Sequence, residues 1–155
     1  MEPHLIFMVV ASIVLSLIAY LIPKKLKWYE IYTTSSFAVL FGLLVDTILA
    51  VKYKIYVLDK AGIQIGPLIG QVIMYSTTSA IILNTFPYNR PVKYKIIYIL
   101  CFSFLTVILE TIALKCGFIK YNEWKMWYSA LCYPFLIYFL VLHLKFFQRI
   151  VKKSF

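Results

Sequence analysis

Residues 96–114, IIYILCFSFLTVILETIAL, decide the fold. Only Tyr98, Ser103, Thr106, Glu110 and Thr111 interrupt nineteen residues of apolar side chains. A run of about 20 such residues makes a helix long enough to cross a ~30 Å hydrocarbon layer. Four more runs of this kind surround it, at 5–22, 31–51, 67–86 and 129–144. The last is short, but Trp127, Tyr128, Phe146 and Phe147 extend it at both ends. The expected fold class is therefore all-α, an integral membrane bundle of five transmembrane helices.

Composition agrees. The 155 residues are 63% hydrophobic and only 14% charged, whereas a soluble domain is nearer half apolar and a quarter charged. Removing the five runs leaves only short connectors, so residues 1–155 read as a single transmembrane domain. The first run follows MEPH, with no Lys or Arg ahead of it and no small-x-small site before the basic cluster. It reads as a retained span, not a cleaved signal peptide.

The net charge of +10 points to topology before nucleic acid. PKKLK (23–27) and NRPVKYK (89–95) hold three basic residues each, and the tail KFFQRIVKKSF (145–155) holds four. All fall on one side of an alternating five-helix bundle. Lys52, Lys54, Lys60, Lys115, Lys120 and Lys125 fall on the other. The positive-inside bias then places the N-terminus outside and the tail in the cytoplasm. The lipid bilayer is the expected partner, including anionic lipid at the tail, and no nucleic acid is expected.

The opening stretch carries an acid, Glu110, and LLVDTILAVK (43–52) carries a second, Asp46, in nearly the same frame. Each lies five or six residues before a lysine that marks the outer exit, Lys115 or Lys52. At ~1.5 Å rise per residue both sit roughly 7–9 Å below that surface. Ser103, Thr106 and Glu110 share a helix face, as do Ser35, Gly42 and Asp46. Gln71, Tyr75 and Thr78 make a polar stripe on the third helix, and Ser129, Cys132 and Tyr133 begin the fifth. Polar groups turn toward neighbouring helices, because lipid offers no hydrogen bonds. The expected ligand or ion site is an outer-leaflet cluster of Asp46, Glu110, Gln71 and Tyr75, joined by Tyr128, Ser129 and Tyr133.

Three devices would let a carboxylate stand there: a retained proton, hydrogen bonds from Tyr, Gln or Ser, or a wet pocket. Ion pairs to Lys52 or Lys115 are poor candidates, since those lysines leave the acid's face. The acids also align DTILAVKYKIY with ETIALKCGFIKY, with a one-residue gap. This suggests a parallel repeat of helices 2–3 and 4–5. Parallel repeats occur in transporters whose sites lie between the halves.

The outer connectors, 52–66 and 115–129, each read as a small hairpin or an interfacial helix. Asp59-Lys60-Ala61-Gly62 is a turn candidate in the first. In the second, Tyr121, Trp124, Trp127 and Tyr128 read as headgroup anchors. Cys101, Cys116 and Cys132 lack metal-ligand spacing and read as small packing residues, with a Cys116–Cys132 disulfide as the alternative. His143 lies near the inner end of helix five, as a snorkelling or hydrogen-bonded residue. His4 is at the opposite surface, so no metal site is expected, and no cofactor. No nucleophile elbow or phosphate-binding glycine loop is present.

The chain resembles an uncharacterised family of small multi-span membrane proteins from spore-forming Firmicutes, above all in YNEWKMWYSALCYP (121–134). The resemblance implies a bacterial cell membrane and no defined activity. A fainter likeness is to heterodimeric carotenoid-cyclase subunits. GPLIGQVIMY (66–75) lacks their paired acids, so their catalytic assignment does not carry over. The expected function is non-enzymatic binding of a cation, a proton, or a small polar or lipidic ligand, with a homodimer as one arrangement. The alternatives are a structural or signalling subunit of a larger membrane complex, in sporulation or envelope stress, and a lipid or isoprenoid enzyme with Asp46 and Glu110 as general acid and base.

Overall fold

Backbone that crosses lipid must satisfy its own N–H and C=O groups, and a helix does so within one segment. The computed structural model describes residues 3–58 and 65–154. It contains five helices long and apolar enough to cross a membrane. They are α1 (Pro3–Leu21), α2 (Trp28–Asp46), α3 (Ile65–Thr85), α4 (Val92–Lys115) and α5 (Met126–Ser154). α2 continues without a break into a π-helical stretch, Thr47–Lys52. Large side chains such as Val10, Leu40, Leu100, Phe104, Leu131 and Phe135 point outward and remain exposed, as expected where lipid is the solvent. Asp59, Lys60, Ala61 and Gly62, read above as a turn, lie outside the described residues.

Helices α2 and α5 extend past their apolar runs for identifiable reasons. α2 begins at Trp28, where the Glu30 carboxylate accepts the Lys27 N–H at 2.8 Å and satisfies one of the donors that a helix start leaves open. α5 runs on past Leu144 because its last turns still have partners. Phe147 meets Tyr29 edge-on at 6.4 Å, and Gln148 Nε2 donates to Glu30 Oε1 at 2.8 Å.

α2 packs on α3, α1 on α3, and α4 on α5, while α5 closes the bundle against α2 and α3. Small residues allow the close approaches. Ser35 Oγ donates to the Ser76 carbonyl at 3.2 Å, and Ser79 Oγ donates to Ser35 Oγ at 3.1 Å. The two ends of the bundle differ. At the end carrying Lys24, Lys25 and Arg90, the core is apolar and tight: Leu83, Phe86, Leu140, Val141 and Leu144. Asn84, 1% exposed, ties the α1–α2 turn to α3. Its Oδ1 accepts the Lys25 and Leu26 N–H groups at 3.0 and 3.2 Å, and its Nδ2 donates to the Ala80 carbonyl.

At the other end the connectors, in their described residues, form neither a separate hairpin nor an interfacial helix. Each supplies one strand, β1 (Tyr56–Leu58) and β2 (Ile119–Tyr121), and the two pair antiparallel with each other. The register is Tyr56 opposite Tyr121, Val57 opposite Lys120 and Leu58 opposite Ile119. Residues directly opposite project from the same face of a sheet, so both tyrosines share the face turned into the bundle. The Ile55 carbonyl accepts the N–H groups of Asn122, Glu123 and Trp124 at 3.0, 3.0 and 3.2 Å. Asn122 Nδ2 donates to the Lys54 carbonyl at 2.8 Å.

Two smaller expectations change. Cys101 and Cys132 are exposed on the apolar surface and are not buried packing residues; all three cysteines are free thiols. His143 makes no hydrogen bond through Nδ1. Its ring lies flat on Phe37, centroids 3.8 Å apart, and Nδ1 is buried without a partner among the described residues.

Candidate functional site

Asp46 is the last residue of α2 before the π-helical stretch. There the backbone bonds lengthen in register, Tyr53 N–H to the Ile48 carbonyl (3.0 Å) and Ile55 N–H to the Leu49 carbonyl (3.1 Å). A π turn takes up more residues than an α turn. Lys54 then adopts a left-handed φ of 55°, and β1 turns back over the bundle. Tyr56 is thereby aimed down its own helix, and its hydroxyl donates to Asp46 Oδ1 at 2.5 Å.

α4 reaches the same arrangement with a different ending. Gly117 N–H bonds to the Leu114 carbonyl and Phe118 N–H to the Ala113 carbonyl, the paired bonds of a Schellman cap. Gly117 has φ 77°, where a side chain would be strained. Phe118 and Ala113, both 3% exposed, supply the apolar contact that accompanies such a cap. β2 follows, and the Tyr121 hydroxyl donates to Glu110 Oε1.

Each acid gains two further donors from the helix that follows it. On α3, Gln71 and Tyr75 lie four residues apart and so share a face. Both donate to Asp46 Oδ2, Gln71 from Nε2 at 3.1 Å. On α5, Ser129 and Tyr133 have the same spacing. Ser129 donates to Glu110 Oε1 at 2.8 Å and Tyr133 to Oε2 at 2.7 Å. Trp124 Nε1 donates to Ser129 Oγ at 2.8 Å, and the Trp124 ring meets Tyr56 edge-on at 5.8 Å.

The acids thus stand in two separate hydrogen-bonded sets, joined through the Tyr56–Tyr121 strand pair. Every donor in these six bonds is an uncharged hydroxyl or amide. This answers why the helices tolerate them. A carboxylate at mid-helix costs about 3 kcal/mol on an insertion scale. A hydrogen bond to a charged group returns about 1.5–3 kcal/mol, and each acid accepts three.

Of the residues singled out in the sequence, Asp46, Gln71 and Tyr75 come together in one set, and Glu110, Ser129 and Tyr133 in the other. Tyr128 does not join them; its ring packs against Trp124 and Trp127, centroids 5.3 and 4.1 Å away. Tyr56 and Tyr121 are the donors that sequence reasoning missed. Their signal was present, since each closes one of the two aligned segments DTILAVKYKIY and ETIALKCGFIKY. Burial first, and then the adjacent carboxylates, push both phenols above their usual value near 10. They remain protonated donors at any physiological pH.

Beneath the sheet lies a cavity of about 300 Å³ walled by all five helices. Leu58 and Ile119 roof it. Glu110, Gln71, Tyr75 and Tyr133 line its sheet end, and Phe37, Phe41, Leu136, Phe139 and Leu140 line its depth. Phe37 and Phe41 stack at 5.8 Å, and Phe139 leans on both at 5.7 and 5.4 Å. Gly42 makes the seat for Tyr75: a Cβ there would lie 2.8 Å from the Tyr75 ring. Among the described residues no Lys, Arg or His lines the cavity, and no group of three or more His, Cys, Asp or Glu could hold a metal ion.

No family model, curated protein or solved structure matches the chain. The chemistry of the site has to be read from its own geometry.

Proposed function

We propose that this chain is a multi-pass protein of a bacterial cell membrane that binds an amphiphilic small molecule in its central cavity. The polar group of the ligand meets Glu110, Gln71, Tyr75 and Tyr133. Its apolar part occupies the space among Phe37, Phe41 and Phe139. The supporting observation is a cavity of about 300 Å³ that is polar at one end and apolar along its depth. That volume is at the lower end of the ligand-pocket range. Water gains little on the aromatic walls, whereas an apolar chain gains both burial and dispersion contacts.

In this reading the sheet end faces outward and the basic end faces the cytoplasm, in keeping with the excess of Lys and Arg there. The segments 46–75 and 110–133 are two copies of one unit: acid, returning tyrosine, then polar residue and tyrosine four apart. Support comes from the matching donor sets and from the strand register, which places Tyr56 opposite Tyr121. The likeness of residues 121–134 to small membrane proteins of spore-forming bacteria fits the same location. All five helices of one chain contribute lining to the cavity.

The test is extraction in a mild uncharged detergent followed by mass spectrometry of bound small molecules. The wild-type chain should carry a stoichiometric amphiphile. Ala38→Phe and Thr106→Phe, which fill the cavity from opposite walls, should lose it, while the lipid-facing Leu100→Phe retains it. An unchanged bound complement in both cavity variants would refute the reading.

A further inference from the structure

Resting on that reading, we infer that the ligand is a monovalent lipophilic cation, such as a substituted ammonium or phosphonium, whose charge is met by the Glu110 carboxylate at the sheet end of the cavity. Charge carries the first step. Asp46 and Glu110 receive only hydroxyl and amide donors. The groups facing them are Tyr56 from β1, Gln71 and Tyr75 from α3, Tyr121 from β2, and Ser129 and Tyr133 from α5, none of them basic. These donors solvate the carboxylates without cancelling their charge, so a cation entering the cavity meets a carboxylate that no protein cation has claimed. An anionic amphiphile is repelled by the same carboxyl groups.

Coordination chemistry carries the second step. A carboxylate offers about four acceptor positions, and three on each acid are already filled by protein donors. Calcium demands six to eight oxygens and magnesium six in strict geometry, so neither finds a shell here. An organic cation asks for less. Its charge is spread, its hydration is weak, and its substituents seek apolar contact. Phe41 and Phe139 line the same cavity as Glu110 and offer aromatic surface for cation–π attraction, whereas Phe37 is covered by the flat-lying His143 ring. A cation held at Glu110 shares its cavity with these rings, and no covalent bond changes.

The full-length chain in phosphatidylcholine nanodiscs tests this with tetraphenylphosphonium, and with dodecanol as a neutral amphiphile, in equilibrium dialysis. The cation should bind, and Glu110→Gln should weaken it at least about tenfold; circular dichroism checks that the variant remains helical. Dodecanol should be indifferent to the substitution. If dodecanol binds but the cation does not, or if cation binding survives Glu110→Gln, the cation assignment falls and the amphiphile cavity stands. If neither probe binds, or neither responds to Ala38→Phe, the cavity reading falls with it.

Discussion

Gly42→Ala puts one methyl group against the seat of Tyr75. Its Cβ would lie 2.8 Å from two ring carbons, where ordinary contact is 3.4–4 Å. The ring must retreat by about 0.6–1.2 Å or the helices must part. Either movement lengthens the bond from the Tyr75 hydroxyl to Asp46. Overpacking of this kind costs about 1–3 kcal/mol, and loosening a hydrogen bond to a carboxylate costs about 1.5–3 kcal/mol. Against this, alanine gains about 1 kcal/mol over glycine in a helix. The net loss should be about 2–5 kcal/mol, read from reversible unfolding in mixed micelles followed by circular dichroism. Gly66→Ala is the control, because a Cβ there meets nothing within 4 Å; it should be neutral or slightly stabilising. In a Tyr75→Phe background the penalty at Gly42 should shrink by the hydrogen-bond part, about 1.5–3 kcal/mol. If Gly42→Ala behaves like Gly66→Ala, Tyr75 is not seated on α2 and the Asp46 set is wrong.

Tyr75→Phe and Tyr133→Phe should each cost about 1.5–3 kcal/mol, and their effects should add because they serve different carboxylates; Tyr56→Phe with Tyr75→Phe, which share Asp46, should depart from additivity in the same unfolding assay. Asn84→Ala strands the Lys25 and Leu26 N–H groups and should cost about 2–4 kcal/mol, with much of the loss recovered by Asn84→Asp, which keeps an acceptor. Tyr56 and Tyr121 hold their protons more tightly folded than unfolded, so their contribution is fully present below the unfolded value near 10 and is lost as pH rises from there toward the higher folded values. Alkaline titration of stability should show that fall, and the Tyr56→Phe, Tyr121→Phe double variant should reduce it, with the remainder left to other tyrosines such as the half-buried Tyr88.

The helices were legible because hydropathy is a property of contiguous residues. Depth along α2 and α4 was legible too, since rise per residue is fixed, and it set Asp46 level with Gln71 and Glu110 level with Ser129. The strand pair was not. β1 and β2 come from connectors separated by two helices, and nothing local in Tyr56–Leu58 signals a partner at Ile119–Tyr121. Tyr121 read as an interfacial anchor because an aromatic beside Trp124 and Trp127 suits a headgroup layer equally well. Only its place opposite Tyr56, on the inward face, separates it from Tyr128. The π-helical stretch was also silent, because Thr47–Lys52 continues the apolar pattern of α2 without a break. Helix ends were set by tertiary partners, as Glu30 and Gln148 show.

The donor sets have a bearing on biogenesis. Every group that serves Asp46 lies between residues 56 and 75, and every group that serves Glu110 lies between 121 and 133. A chain leaving the ribosome can therefore shelter its first acid as soon as α3 is made, before α4 exists, and can repeat the act with α5. Neither carboxyl has to wait in the lipid for a rescuer from the far end of the chain. The strand pair joins the two halves once β2 has followed α4, and α5 then completes the second set and closes the bundle.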